Sequence, residues 1–205
     1  MIDKDPFNLV VAGVGGQGNV LASQLIATVL VNDGYKVTVG ETYGASQRGG
    51  SVMSHVRISR TRQYGPLIPP WQAHLLLALE PSEAARILGQ FGNPQIVAVV
   101  NIRPVYPVDV ISGDMSYPEE TQLLSLIRRM CRNVIFINAT EKALALGNPI
   151  LSNIILMGAA ASAGLLPLTE QGVARAIEER LSSNRIDVNL KAFAIGRELA
   201  QTAFL

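Results

Sequence analysis

Three short runs decide what this chain is able to become. His74 to Leu79 (HLLLAL), Gln95 to Val100 (QIVAVV) and Asn133 to Ile137 (NVIFI) are apolar at nearly every position, without the alternation of a strand that keeps one wet face. Strands of this kind are buried on both sides, which requires helices above and below their sheet. Each run is too short for a helix, and helical stretches lie between them, one opened by Pro81 and running to about Leu88, another over Glu119 to Met130. Toward the amino end, Phe7 to Ala12 is a β-rich run that gives way to glycines and then to an apolar-periodic stretch from Val20 to Leu30. Gly34 closes that helix, and Tyr35 to Val39 (YKVTV) alternates as a second strand, completing a βαβ unit. Ser51 to Ser59 alternates again, with Val52, Val56 and Ile58 on one face and His55 and Arg57 on the other. The pattern predicts a three-layer α/β domain with a mostly parallel sheet, helices on both faces and a Rossmann-like βαβ start.

Its 205 residues fit one domain, read as residues 1–205. Charged residues make up 16%, below the roughly 25% of an average chain, so a part of the surface is expected to be covered by another subunit. A net charge of +1 supplies no field to hold nucleic acid or an anionic membrane, and neither is expected as a partner. Cys131 is the only cysteine, which excludes an internal disulfide and a four-thiolate cluster. The two histidines, His55 and His74, lack the local spacing of zinc ligands, and no metal is expected. The start has no charged segment leading into an apolar one, which points to the cytoplasm. Ile150 to Leu168 imitates a membrane span, yet Asn148-Pro149 supplies a cap and a first-turn proline, Gly164 and Pro167 stop the helix, and its small residues suit close packing. It reads as a buried helix of a globular core. Two further helices are expected over Thr169 to Leu181 and Asp187 to Ala203.

The turn Gly13-Val-Gly15-Gly16-Gln17-Gly18 satisfies G-x-G-x-x-G between a strand and a helix, where free amides and the helix dipole favour an anion. Glu41, 23 residues beyond Gly18 at the end of the second strand, stands near the place of a ribose-binding carboxylate, so a freestanding NAD-binding oxidoreductase is one reading. In the other, the glycines only let strand, helix and a neighbouring chain approach closely. The segment after Glu41 weakens the first. Thr42, Gly44, Gly49, Gly50 and Ser51 frame Gln47 and Arg48 in a loop able to hold a guanidinium and an amide over the carboxyl edge of the sheet. Arg48 has the fork geometry for a carboxylate or phosphate, with an ion pair to Glu41 as the alternative.

GVGGQG at Gly13 to Gly18, ETYGASQRGGSVMSHVR at Glu41 to Arg57, PLIPP at Pro66 to Pro70, LEPSEA at Leu79 to Ala84, GNPILSN at Gly147 to Asn153 and NLKAFAIG at Asn189 to Gly196 together resemble the gamma-type subunit of 2-oxoacid:ferredoxin oxidoreductases. The resemblance spans nearly the whole chain in order. It departs at Tyr43-Gly44-Ala45-Ser46, where relatives carry His-Gly-Met-Ala, and the 2-oxoacid is left open. The resemblance implies a complex that converts an aryl 2-oxoacid such as indolepyruvate, coenzyme A and oxidised ferredoxin to acyl-CoA, CO2 and reduced ferredoxin. It implies that thiamine diphosphate, Mg and [4Fe-4S] clusters sit on a large partner subunit in a 2+2 heterotetramer, that this chain holds no cofactor alone, and that it is inert alone. The residues agree with that division, because one cysteine cannot ligate a cluster and Gly113-Asp114 is followed by Met115 rather than completing a thiamine signature. A regulatory module of the same fold is a further alternative.

Candidate roles follow. Arg48, Gln47 and Glu41 are expected in a shared active site, and Gly13, Gly15, Gly16, Gln17 and Gly18 as a phosphate cradle or a packing device. Thr42, Gly44, Gly49, Gly50 and Ser51 are expected at an interface, with Trp71 beside Pro69 and Pro70 as an anchor. His55 reads as structural, Asn153 as a cap or bridge to buried backbone, and Cys131 as a buried bystander.

Overall fold

The computed structural model describes residues 3–42, 50–106 and 108–203. Strands β1 (Phe7–Val14), β2 (Lys36–Thr42), β3 (Ser51–Ser59), β4 (Leu75–Ala78), β5 (Val97–Asn101) and β6 (Asn133–Ile137) form one sheet in the order β2-β3-β1-β4-β5-β6. β1, β4, β5 and β6 pair in parallel, as their two-sided apolar character requires. Helices α1 (Asn19–Asn32), α2 (Pro81–Phe91), α3 (Val108–Ile111) and α4 (Glu120–Met130) lie in the connections between successive parallel strands.

One feature of the βαβ start differs from a Rossmann unit. β2 runs parallel to β1 but does not touch it, because β3 returns antiparallel and inserts between them. Val14 pairs with Ser51, and Thr42 with Met53, so β3 fills ladder positions along both of its edges. The short connection after β2 allows that return, whereas a parallel neighbour would need a crossover.

Alternation along β1 sorts the two cores. Leu9 and Val11 face α1, α6 (Ser152–Ser162), α7 (Glu170–Arg180) and α8 (Ile186–Ala203), whereas Val10 and Ala12 face α2 and α4. The span-like segment is α6, buried from Ser152 to Ala160. Among the described residues no helix is long and apolar enough to cross a membrane. A Cβ on Gly158 would run into the carbonyl oxygen of Phe193, and one on Gly196 into that of Ile155, so α6 and α8 cross backbone against backbone. Two short helices, α3 and α5 (Ala139–Ala145), lie outside the sequence reading, being too short to show a period. α5 begins where the Asn138 carboxamide accepts the Glu141 amide at 3.3 Å.

Candidate functional site

The parallel strands end along one edge of the sheet, and there α1 leaves onto one face while α2 leaves onto the other. Open α/β sheets bind ligands at such a reversal, here between the carboxyl ends of β1 and β4. In this chain Gln17 occupies the crevice. Its Oε1 accepts the Val14 amide at 2.7 Å, and its Nε2 donates to the Leu79 carbonyl at 3.0 Å, which also accepts Asn101 Nδ2 at 3.0 Å. Gly13 makes the fold-back possible, since a Cβ there would lie 2.6 Å from Gln17 Oε1 and 2.9 Å from Leu79 Cβ. Gly16 has φ 102 with open space around it, so backbone conformation alone demands glycine. Gly18 has φ 82, its carbonyl accepts Asn153 Nδ2 at 2.9 Å, and a Cβ would collide with that amide. Gly13 and Gly18 are thus accounted for by packing within the chain, and Gly16 by its backbone conformation.

The Gly15 amide donates to the Gly50 carbonyl at 2.8 Å, tying the turn to the start of β3. Glu41 is half-buried at the end of β2, where its carboxylate accepts the Ser23 hydroxyl at 2.9 Å and a short bond from Ser54. Thr42 Oγ1 donates to the Met53 carbonyl at 3.0 Å, and Ser51 Oγ to Glu83 Oε1 at 2.6 Å, while Arg86 holds the other oxygen of Glu83. The turn, Glu41, Thr42, Gly50 and Ser51 therefore converge at one edge. Gly44, Gln47, Arg48 and Gly49 lie outside the described residues.

Two clefts flank the turn and share Gly16. The first, about 400 Å³, runs between α1 and the β2/β3 ends, with Asn19, Val52 and Met53 in its wall and Glu41 as the one charged group among its described lining. The second, about 350 Å³, is bounded by Gln17, Thr140, Ile150 and the segment after β5, and its one charged lining residue is Arg103. Two buried carboxamide oxygens near the turn, Asn19 Oδ1 and Asn153 Oδ1, have no partner among the described residues. Just past the end of β4, buried Glu80 accepts the Glu83 amide at 2.9 Å and the Tyr117 hydroxyl. Burial, reinforced by that carboxylate, pushes the Tyr117 phenol above its ordinary value. Arg103, Asn19, Glu80 and Glu83 escaped the sequence reading. Their signal was position, each standing just past a strand end or on the first turn of a helix at the ligand-bearing edge.

Elsewhere the expectations for single residues meet their surroundings. His55 is buried, accepts the Ile68 amide on Nδ1 at 3.3 Å and meets the Phe91 ring edge-on, with burial and Arg57 lowering its pKa. That is a structural histidine. Asn153 bridges buried backbone, as its bond to Gly18 shows. Burial raises the Cys131 thiol to about 11. Trp71 is 59% exposed with φ 63, but it precedes β4 and so lies at the opposite edge of the sheet, away from the turn.

The geometry parts from a dinucleotide site in two respects: β3 separates Glu41's strand from β1, and the Gln17 carboxamide fills the crevice. Comparison with known proteins points the same way. The family model described as pyruvate ferredoxin/flavodoxin oxidoreductase matches residues 8–199. Indolepyruvate oxidoreductase subunit IorB of Archaeoglobus fulgidus is 38% identical over 92% of each chain, and its namesake in Thermococcus kodakarensis is 34% identical over 95% of this chain and 96% of its own. The 2-oxoglutarate:ferredoxin oxidoreductase of Magnetococcus marinus, solved with 2-oxoglutarate, coenzyme A and succinyl-CoA, superposes at a TM-score of 0.72 with 21% identity. That likeness covers 98% of this chain and 32% of the other, so the same fold recurs as one part of a larger polypeptide.

Proposed function

Because the chain belongs to the pyruvate ferredoxin/flavodoxin oxidoreductase family, we propose that it is the small subunit of a 2-oxoacid:ferredoxin oxidoreductase acting on an aryl 2-oxoacid such as indolepyruvate. The observation that carries this reading is end-to-end similarity, at 34–38% identity, to subunits named for indolepyruvate oxidoreductase. With a large partner it forms acyl-CoA, CO2 and reduced ferredoxin from the oxoacid, coenzyme A and oxidised ferredoxin, in a 2+2 assembly, and it works in the cytoplasm.

The described residues of this chain do not fit a resident metal or cluster. Among the described residues no three His, Cys, Asp or Glu side chains gather, and the one cysteine is a thiol driven away from its reactive form. The reading therefore gives thiamine diphosphate, Mg and the clusters to the partner, where thiamine supplies the carbanion chemistry that breaks the bond to CO2.

This chain contributes a wall to a site that two subunits share. Arg48 and Gln47 supply a bidentate cation and an amide for a carboxylate or oxoacid carbonyl. Glu41, held by Ser23 and Ser54, remains a fixed acceptor on the wall of its cleft. The turn serves mainly packing, because the amides of Val14, Gly15 and Gln17 already have acceptors. Among the described residues the amides of Gly16 and Gly18 have no acceptor, and they are what the turn has to offer a coenzyme A phosphate.

Reconstitution tests the reading. The chain alone reduces no viologen with arylpyruvate and coenzyme A, and mixing it with the large subunit of the same complex restores turnover. In that complex Arg48→Ala lowers kcat/KM for oxoacid or coenzyme A by about tenfold or more while assembly persists. Turnover by either subunit alone would refute the shared site.

A further inference from the structure

The amino edge of the sheet, opposite the turn, holds a cleft of about 530 Å³ whose lining includes Lys4, Asp5, Asn8, Arg57, Gln72 and His74. It is larger than either cleft beside the turn. Its polar groups are fixed by one another. Buried Asn8 accepts Arg57 Nε on Oδ1 at 3.1 Å, donates from Nδ2 to the Gln72 carbonyl at 2.8 Å, and sends its backbone amide to His74 Nδ1 at 2.9 Å. Arg57 Nη1 is spent on the carbonyls of Gly65 and Leu67, at 3.1 and 3.2 Å, and the guanidinium lies 5.0 Å from the Tyr64 ring centre. His74 stacks on Phe7 with ring centres 5.4 Å apart.

Counting donors shows what is left over. With Nδ1 of His74 accepting, its proton must stand on Nε2, and among the described residues neither that group nor Arg57 Nη2 has a hydrogen-bond partner. No carboxylate pairs with Arg57 or Lys4 among the described residues. The one acid in the lining, Asp5, is engaged by the Thr61 hydroxyl at 3.1 Å. Lys4 and Arg57 thus set two positive charges in the lining against the single carboxylate of Asp5. Burial, and after it the Lys4 charge, lower the pKa of His74.

We propose that this cleft is an anion-binding site, taking the phosphate or carboxylate group of a small ligand or of the partner subunit between Arg57 Nη2, His74 Nε2 and Lys4 Nζ. The site stands about 20 Å from the glycine turn, at the other end of β1. It does not rest on the assignment of activity above.

The test is calorimetric titration of the full chain with inorganic phosphate at low salt, alongside Lys4→Gln and His74→Gln. Lys4 is exposed, and a glutamine at 74 keeps an acceptor for the Asn8 amide, so both variants retain the fold. Saturable one-to-one uptake in the millimolar range, weakened about tenfold by either substitution, is expected. Acetate competes with phosphate if the pocket takes carboxylates. Repeating the titration on the assembled complex separates the two sources. Uptake that persists identifies a free ligand, and uptake lost on assembly, with assembly itself weakened by phosphate and by Lys4→Gln, identifies a carboxylate of the partner. Absence of saturable uptake by the full chain up to about 20 mM phosphate, or equal binding by the wild type and both variants, overturns the proposal.

Discussion

Replacing Gly13 by alanine tests whether the glycine turn is built around Gln17. The new Cβ would lie 2.6 Å from Gln17 Oε1, 2.9 Å from Leu79 Cβ and 3.1 Å from Asn19 Oδ1. Ordinary carbon to oxygen approaches are about 3.3 Å or more, so the carboxamide has to move by most of an ångström. Overpacking of this size costs roughly 1–3 kcal/mol. Displacing Gln17 also strips the Val14 amide of its acceptor, which adds about 1–2 kcal/mol at this partly buried site. Gly13 lies in a strand conformation open to alanine, so the stiffer unfolded chain returns about 0.4–1 kcal/mol. The net loss is near 3 kcal/mol, a fall in Tm of about 6–12 °C for a chain of this size. Thermal and urea unfolding followed by circular dichroism measure it. The decisive comparison is a double-mutant cycle with Gln17→Ala, in which the carboxamide is already absent and the Gly13 substitution costs at least about 1 kcal/mol less. Additivity within about 0.5 kcal/mol would refute the linkage between Gly13 and Gln17.

Three further outcomes are expected. Gly196→Ala places a methyl against the Ile155 carbonyl, and it should destabilise by more than about 2 kcal/mol despite a helix-propensity gain near 1 kcal/mol; a rise in Tm would contradict the backbone-to-backbone crossing of α6 and α8. Cys131, its thiol raised to about 11 by burial, should react with a disulfide reagent at pH 8 about a hundredfold more slowly in the folded chain than after denaturation, and equal rates would show an exposed thiolate. His55 and His74 have folded pKa values lowered below the ordinary 6.5 by burial, with Arg57 and Lys4 adding to it respectively. The unfolded chain then binds the extra protons, so stability is intact above about 6.5 and falls as pH drops from there toward the folded values, a slope that His55→Gln should reduce in urea titrations between pH 7 and 5.

The parts of this fold that were readable from sequence are those in which one physical cause dominates. HLLLAL, QIVAVV and NVIFI had to be doubly covered strands, and they are β4, β5 and β6 in parallel register. The small residues after Asn148-Pro149 marked a packed helix rather than a span, since Gly158 permits the approach of α8, while the proline itself opens a 3-10 turn, Pro149–Leu151, and α6 starts after it at Ser152. The place of β3 was not readable. Its alternation shows that it is a strand, but whether it pairs outside β2 or inside it is set by ladder partners far away in sequence. Arg103 was missed for a similar reason, since only tertiary structure carries the segment after β5 to the cleft beside Gly16. Trp71 shows the converse. A stiff proline context and an exposed aromatic ring suit an interface anchor, yet local sequence gives no hint of which sheet edge receives it.

One glycine motif serves two unlike purposes because tertiary surroundings, not the motif, decide what lies beside it. G-x-G-x-x-G specifies a tight strand-to-helix turn and nothing about what fills the crevice beside it. Here the fifth residue is glutamine, long enough to reach from the Val14 amide to the Leu79 carbonyl, and Gly13 and Gly18 make room for it and for Asn153. A chain that satisfies its own turn in this way has closed the place where a dinucleotide would lie. What stays open are two clefts on either flank, whose described linings carry a single charge each, the Glu41 carboxylate in one and the Arg103 guanidinium in the other. One carboxylate and one cation on separate walls can orient a substrate, but they supply neither an electron sink nor an electron path. The two flanking clefts stay open to groups from outside the turn, which is the geometry that the proposed small subunit, forming one wall of a shared site, calls for.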